Sequence, residues 1–294
     1  MTINSCIVVI KQTALAQGGR VAHFAERGDA TAHRILKADA THQRTVKTVL
    51  ASLQKGGVTP TVVALPRLTA NIKQQIARAD LTITIGGDGT ALGASHYVRH
   101  GALLGVNSAP GDSVGHFCCV QQGNFAERFE ALRSGQWQPV ALTRLAVTLD
   151  EKPLPELALN DVLIAHDSPA ATTRYLLQLG EHEEEQRSSG IWISTAAGST
   201  AGIRSAGGRK MPLRSERLQY LVRELYRETH DRQQRDYQLT RGLIAKDATL
   251  AIASKMPDGW LYIDGARTAY RFPFGARATV RAAAQKLNLF LPAA

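Results

Sequence analysis

TITIGGDGT, residues 82–90, is an alternating β-type run that ends in two glycines, an acid, a third glycine and a threonine. The first four residues read as a strand. Gly86, Gly87 and Gly89 let the backbone take positive φ or come close to a ligand. Ligands of an open parallel sheet sit at the carboxyl ends of its strands. The N–H groups of such a turn, followed by a helix N-terminus, attract phosphate. Asp88 would repel a phosphate. It makes sense there if it takes or orients the proton of a hydroxyl, or if it holds Mg²⁺ between phosphates. Thr90 adds a hydroxyl. A plain strand-to-helix turn with Asp88 as its cap remains the other reading.

Around this stretch, SCIVVIK (5–11), TPTVVAL (59–65) and ALLGVN (102–107) also read as strands. Helical spacing over residues 33–55 and other helical segments alternate with them. Strand alternating with helix implies βαβ units and a parallel sheet. After about residue 140 the texture changes to short β-type runs: TRLAVTLD, LALNDVLIAH, TRYLLQLG, SGIWIST, ATLAIAS, GWLYIDG and RATVRAA. One long helical candidate interrupts them at 214–230, where Leu218, Leu221, Val222, Leu225 and Tyr226 form an apolar stripe. The expected fold is an α/β N-terminal domain with a parallel sheet (1–140), plus a β-rich C-terminal domain (141–294) whose tail can return to the first. EHEEEQR (181–187) reads as a solvated hairpin tip.

The 294 residues are enough to bury a sizeable core. The net charge of +10 favours anionic partners. Nucleic acid is not expected, because no basic stripe is interleaved with aromatics, which make up only 6% of the chain. Three cysteines, Cys6, Cys118 and Cys119, suit a reducing compartment. The first apolar run, CIVVI, is short for a membrane span or a signal peptide. The expected place is the cytosol, or a mitochondrial matrix if a presequence has been removed, with no membrane partner.

A second glycine-rich stretch, SSGIWISTAAGSTAGIRSAGG (188–208), runs from an apolar strand into a hydroxyl-rich turn. Alone, it is as readily a flexible loop as a site. No G-x-x-x-x-G-K-[ST] occurs, and no G-x-G-x-x-G follows the first strand. A P-loop protein and a dinucleotide-binding Rossmann dehydrogenase are therefore disfavoured.

GGDGT together with STAAGSTA resembles the NAD kinase family, within the larger group that includes diacylglycerol and sphingosine kinases and phosphofructokinases. ALNDV (158–162) stands where that family carries Asn-Glu, and YIDG (262–265) resembles its late Asp-containing motif. GVNSAPGDSVGHFCC (105–119) and RSSGIWIS (187–194) look more like the divergent mitochondrial type than the common bacterial type. The resemblance spans residues 80–285. It implies phosphoryl transfer from ATP, with Mg²⁺, or from polyphosphate, to the 2′-hydroxyl of the adenosine ribose of NAD. It further implies a homodimer or homotetramer. Among site residues, it implies Asp88 as proton acceptor and Asp264 as the late acid near the reacting ribose. Gly86, Gly87, Gly89, Thr90, Asn160, Asp161, Arg187, Ser189, Ser199, Thr200, Ala201 and Ser205 are then nucleotide contacts. No residue is assigned as a metal ligand. Arg187 or Arg204 could add positive charge.

Three positions depart from the family pattern. Asp161 is one methylene shorter than the usual Glu. Ser189 replaces the bacterial Asp, as in the mitochondrial type. Gly202 stands where the family commonly has an aromatic residue that stacks on a base, and loses about 1–3 kcal/mol if nothing replaces it. His116, Trp192 and Trp260 read as structural, the two tryptophans as core. The competing expectations are a kinase of another hydroxyl compound, nucleoside-like or lipid, and a non-catalytic dinucleotide-binding regulator.

Overall fold

A computed structural model describes residues 1–292 apart from 17, 19, 112–114 and 228–235. Residues 112–114 of the 105–119 stretch and 228–230 of the 214–230 stretch lie outside the described residues. The chain divides into two compact units: Met1–Ala141 with Leu287–Ala294, and Leu142–Lys286.

The first unit contains β1 (Cys6–Ile10), α1 (Val21–Glu26), α2 (Ala30–Lys55), β2 (Thr61–Ala64), α3 (Ala70–Arg78), β3 (Leu81–Gly86), α4 (Asp88–Ser95), β4 (Ala102–Asn107), β5 (Val120–Gln121), α5 (Phe125–Arg133) and β6 (Val140–Leu142). Later strands are β7 (Leu145–Leu149), β8 (Lys152–Pro153), β9 (Asp161–His166), β10 (Thr173–Leu179), β11 (His182–Ser188) and β12 (Gly190–Ser194). After α6 (Gly202–Ser205) come β13 (Leu218–Arg223), β14 (Arg241–Ile244), β15 (Thr249–Ser254), β16 (Gly259–Ile263), β17 (Thr268–Arg271), β18 (Arg277–Ala282) and β19 (Leu287–Leu289).

The first sheet runs β2-β1-β3-β4-β19-β6, with β5 also on β4. β1, β2, β3, β4 and β5 pair in parallel, and β19 joins β4 in parallel. β3 and β4 are buried at every position, as the central strands of a sheet covered on both faces must be. Leu81, Ile83 and Ile85 pack with Val49 and Leu53 of α2 and Phe125 and Phe129 of α5. α2 starts where the Asp29 carboxylate accepts the Ala32 N–H at 2.7 Å. It stops at Gly56–Gly57, where Gly57 takes φ +74°.

The second unit contains two sheets, β11-β10-β15-β18-β7-β8 and β14-β13-β12-β9-β16-β17. One core joins Val147, Leu177, Ile252 and Val280 of the former to Ile164, Ile191, Ile193, Val222 and Leu261 of the latter. Successive strand residues point to opposite faces. With Ile191 and Ile193 inward, Trp192 must face outward.

Three features differ from expectation. Residues 218–223 form strand β13 rather than a helix. LQYLVR satisfies a helical stripe through Leu218, Leu221 and Val222. It also satisfies a period of two through Leu218, Tyr220 and Val222, all of which join the core. Pairing with β12 and β14 decides for the strand. His182–Ser188 is a full strand paired with β10, and the turn lies at Gly180, φ +62°. The Glu184 carboxylate there accepts the N–H groups of Gln238, at 2.6 Å, and Leu239. Trp192 and Trp260 are half-buried rather than core residues.

Candidate active site

β3 ends at Gly86, and the backbone turns at once into α4. The Ser108 N–H donates to Gly86 O at 2.9 Å, and the Lys11 N–H donates to Ile85 O at 3.0 Å. A Cβ on Gly86 would collide with the Thr90 side chain and stand 3.1 Å from Lys11 Cβ. None of Gly86, Gly87 and Gly89 has positive φ. Gly86 therefore serves close approach and not a left-handed turn. Thr90 is buried under Gly86.

Asp88 is the first residue of α4, and no side chain caps this helix. Its carboxylate turns instead to the next loop, where Oδ2 accepts the His116 N–H at 2.9 Å and Oδ1 accepts the Phe117 N–H at 2.7 Å. That fixes the orientation of the carboxylate. Behind the turn, His42 Nδ1 lies 2.9 Å from Ser108 Oγ, and both residues are buried. Burial, and next the Lys11 charge, push the His42 imidazole down to about 4, against a smaller opposing effect of Asp39. This support is therefore neutral at physiological pH.

Gly89 is exposed, and a Cβ there meets nothing within 4 Å. The fold does not need glycine at this helical position. Gly89→Ala is expected to stabilise the protein slightly, by about 0.5–1 kcal/mol, through lower unfolded-state entropy and better helix propensity. If a ligand approaches this turn, the same change raises the KM for ATP. Thermal melts and steady-state kinetics check both.

In the second unit, Asp264 takes φ +49°, a left-handed conformation that Asp tolerates better than most residues. Its Oδ2 accepts the Leu159 N–H at 2.8 Å. Its Oδ1 accepts the N–H groups of Asn160, at 2.8 Å, and Asp161, at 2.9 Å. The Thr195 N–H and Ser194 Oγ donate to Asn160 O at 2.9 and 3.1 Å, and Thr195 Oγ1 donates to Leu159 O at 2.5 Å. Gly198 packs on the Asn160 backbone, where a Cβ would have no room. Residues 159–161 are thus held on two sides by backbone contacts. The Asn160 and Asp161 side chains carry none of this load. Asn160 Oδ1 is buried with no hydrogen-bond partner among the described residues.

Asp161 is 6% exposed. Burial, and secondarily the Asp264 charge, raise its carboxyl to about 7. Its folded pKa lies above its unfolded value, so the native state holds the extra proton between about pH 4 and 7. Stability from this group is present at low pH and lost as pH rises through that window, the reverse of the usual carboxylate. Asp161→Asn is expected to flatten that part of the profile and to make the ligand-free protein more stable at pH 8. Urea denaturation at pH 5, 6, 7 and 8 checks it.

Ser199 is buried, donates to Ala196 O at 2.7 Å and accepts the Met211 N–H at 3.0 Å, so its hydroxyl shapes the turn. Thr200 is exposed beside half-buried Ala201. Ser205, at the end of α6, and Arg187, on β11, are exposed. Arg204 Nη1 donates to Gly208 O at 2.9 Å. Ser189 helps line a cavity of about 430 Å³ on the outward face of the second sheet, with Leu163, Trp192, Arg223 and Tyr262. Trp192 was read as core. The flanking Ile191 and Ile193 are the signal that turns it outward. The two backbone donors to Asp88 leave no mark in the sequence. Among the described residues no group of three or more His, Cys, Asp or Glu side chains could hold a metal ion. No described helix is long and apolar enough to cross a membrane.

An acid in a glycine turn at the carboxyl end of a strand of a parallel sheet stands where α/β enzymes bind their ligands. The family model described as ATP-NAD kinase N-terminal domain matches residues 17–136. A protein of Oryza sativa subsp. japonica named probable NADH kinase is 33% identical over 244 residues, covering 76% of this chain and 74% of its own. The chain belongs to the NAD kinase family. Two solved structures share its fold. A yeast NADH kinase complexed with NADH superposes with TM-score 0.72 at 14% identity, over 99% of this chain and 84% of its own. An NAD kinase from Archaeoglobus fulgidus in complex with ATP superposes with TM-score 0.68 at 17% identity, over 97% and 93%.

Proposed function

We propose that this enzyme transfers the terminal phosphoryl group of ATP to the 2′-hydroxyl of the adenosine ribose of NAD or NADH, giving NADP or NADPH. The observation that carries this reading is the pair at the head of β9. A buried amide oxygen, Asn160 Oδ1, has no hydrogen-bond partner among the described residues, and the buried Asp161 carboxyl is its neighbour in the chain. A nucleoside supplies such donors as ribose hydroxyls and an exocyclic amine. Unsatisfied buried polar groups are costly unless a ligand meets them.

Phosphoryl transfer depends on positioning and charge neutralisation more than on covalent help. Asp88 is the acceptor for the 2′-hydroxyl proton, held in place by the His116 and Phe117 N–H groups. The turn at Gly86–Gly89 approaches the donor phosphates. A Mg²⁺ ion bound with the nucleotide would supply positive charge to the donor phosphates, and no residue of this chain is assigned to hold it. Asp161 and Asn160 accept from the acceptor nucleoside, and Thr200, Ala201, Ser205, Ser189 and Arg187 complete its surroundings. Asp264 acts through the backbone of 159–161 as a positioning residue. Inclusion of NADH rests on the rice relative's name and on the yeast structure. The same reading extends to a cytosolic homodimer or homotetramer, whose assembly light scattering would measure.

The test incubates the protein with Mg²⁺, ATP or polyphosphate, and NAD or NADH, and assays product with an NADP-specific dehydrogenase. Product from either acceptor supports the reading. No product from any pairing, in a folded protein, overturns it.

A further inference from the structure

Gly202 leaves the second unit without a ring at the place where this family's resemblance calls for one, and the fold fills that place from a different strand. A Cβ built on Gly202 stands 3.2 Å from both Cη2 and Cζ2 of Trp192. The indole therefore already occupies the space into which a side chain at 202 would grow. Trp192 reaches there because Ile191 and Ile193 take the core-facing positions of β12.

On that outward face the strands are in register. Tyr262 lies opposite Leu163, Leu163 opposite Trp192, and Trp192 opposite Leu221. Asp161 lies opposite Ser194, two residues along each strand from the Leu163–Trp192 pair. The indole thus shares a face with Asp161 as a diagonal neighbour, within about 7–8 Å between Cα atoms. Trp192 also lines the cavity of about 430 Å³. A half-buried tryptophan that lines a cavity and neighbours a buried carboxyl is poorly explained by packing alone.

We propose that Trp192 is the platform on which a planar heteroaromatic ring of the dinucleotide stacks, and that residue 202 is glycine because the indole has taken its place. This specificity role rests on the reading of the chain as an NAD(H) kinase. Adenine and nicotinamide share the chemistry required, a flat heteroaromatic ring with an exposed π-face.

The chain has three tryptophans, so the Trp137→Phe/Trp260→Phe protein leaves Trp192 as the sole indole. Its emission is followed while NAD, adenosine 5′-monophosphate or nicotinamide mononucleotide is added. Saturable quenching by NAD and by one of the two halves is expected, and the half that quenches names the ring. Trp192→Leu is expected to raise the KM for the dinucleotide about tenfold or more, with the KM for ATP unchanged. Gly202→Tyr alone should impair binding, whereas Gly202→Tyr combined with Trp192→Ala should recover it. That rescue is a result a merely structural tryptophan would not produce.

The proposal falls if the active protein shows no quenching with any of the three compounds. It falls equally if Trp192→Leu leaves the dinucleotide KM within about twofold. A wild-type protein that makes no NADP(H) removes the kinase reading instead. Quenching by a mononucleotide would still be measured in that case, so the two failures are distinguishable.

Discussion

Asp88→Asn is expected to lower turnover by about 10²–10⁴-fold, the range set by loss of a positioned general base. The substitution keeps the shape of the side chain and removes its capacity to accept a proton. Affinity for NAD or NADH, measured by calorimetry, should change little. The carboxylate also has a structural task, since its two oxygens accept the His116 and Phe117 N–H groups. An asparagine offers one oxygen, and its NH₂ then faces an N–H. The variant should therefore also lose about 1–3 kcal/mol of stability in its own unit. A melt beside the kinetics separates the two effects. A fall in turnover that tracks only the folded fraction would make Asp88 a loop clamp and not a base.

Asp264→Ala is expected to cost about 3–5 kcal/mol of stability in the second unit, combining lost hydrogen bonds with a left-handed backbone that alanine disfavours. Three N–H groups, those of Leu159, Asn160 and Asp161, lose a charged acceptor at once. Asp264→Asn keeps tolerance of φ +49° and one accepting oxygen, so it should cost less than half as much. The kinetic signature follows from the same geometry. If Asp264 acts by holding Asn160 and Asp161 in place, Asp264→Asn raises the KM for the dinucleotide and leaves kcat nearly intact. A direct catalytic role predicts the opposite split. Removing the Asp264 charge also lets the Asp161 carboxyl fall from about 7 toward its ordinary value, which moves the pH dependence of binding downward.

Much of this was legible from particular residues. TITI and ALLGVN read as strands because β-branched and apolar runs end in turn residues, and both became central strands. Asp88 stood out because a carboxylate among glycines suits few purposes at a strand's end. LQYLVR was misread because six residues can satisfy two periods, and only the neighbouring strands choose between them. The charged β11 was invisible as a strand because its register comes from β10, not from its own residues. The loop that holds Asp88 lies 28 and 29 residues downstream and contributes only main-chain N–H groups. No side-chain pattern could announce it. The inward isoleucines of GIWIS did carry the orientation of Trp192, since alternation is a local property.

β19 is the last strand of the chain, yet it lies between β4 and β6, in the interior of the first sheet. On the ribosome, the N-terminal sheet is therefore among the earliest segments made and the last that can be completed. Until residues 287–289 emerge, β6 and the Ala102–Leu103 part of β4 lack that neighbour, and their free backbone groups are open to wrong partners. The β-sandwich between them has no such wait, because all of its strands are already synthesised by then. At about 5–20 residues per second, the gap between making β4 and making β19 is tens of seconds or less, long against strand pairing and long enough for a chaperone to matter. A nascent chain stalled before Leu287 would carry a folded insert within an unfinished host.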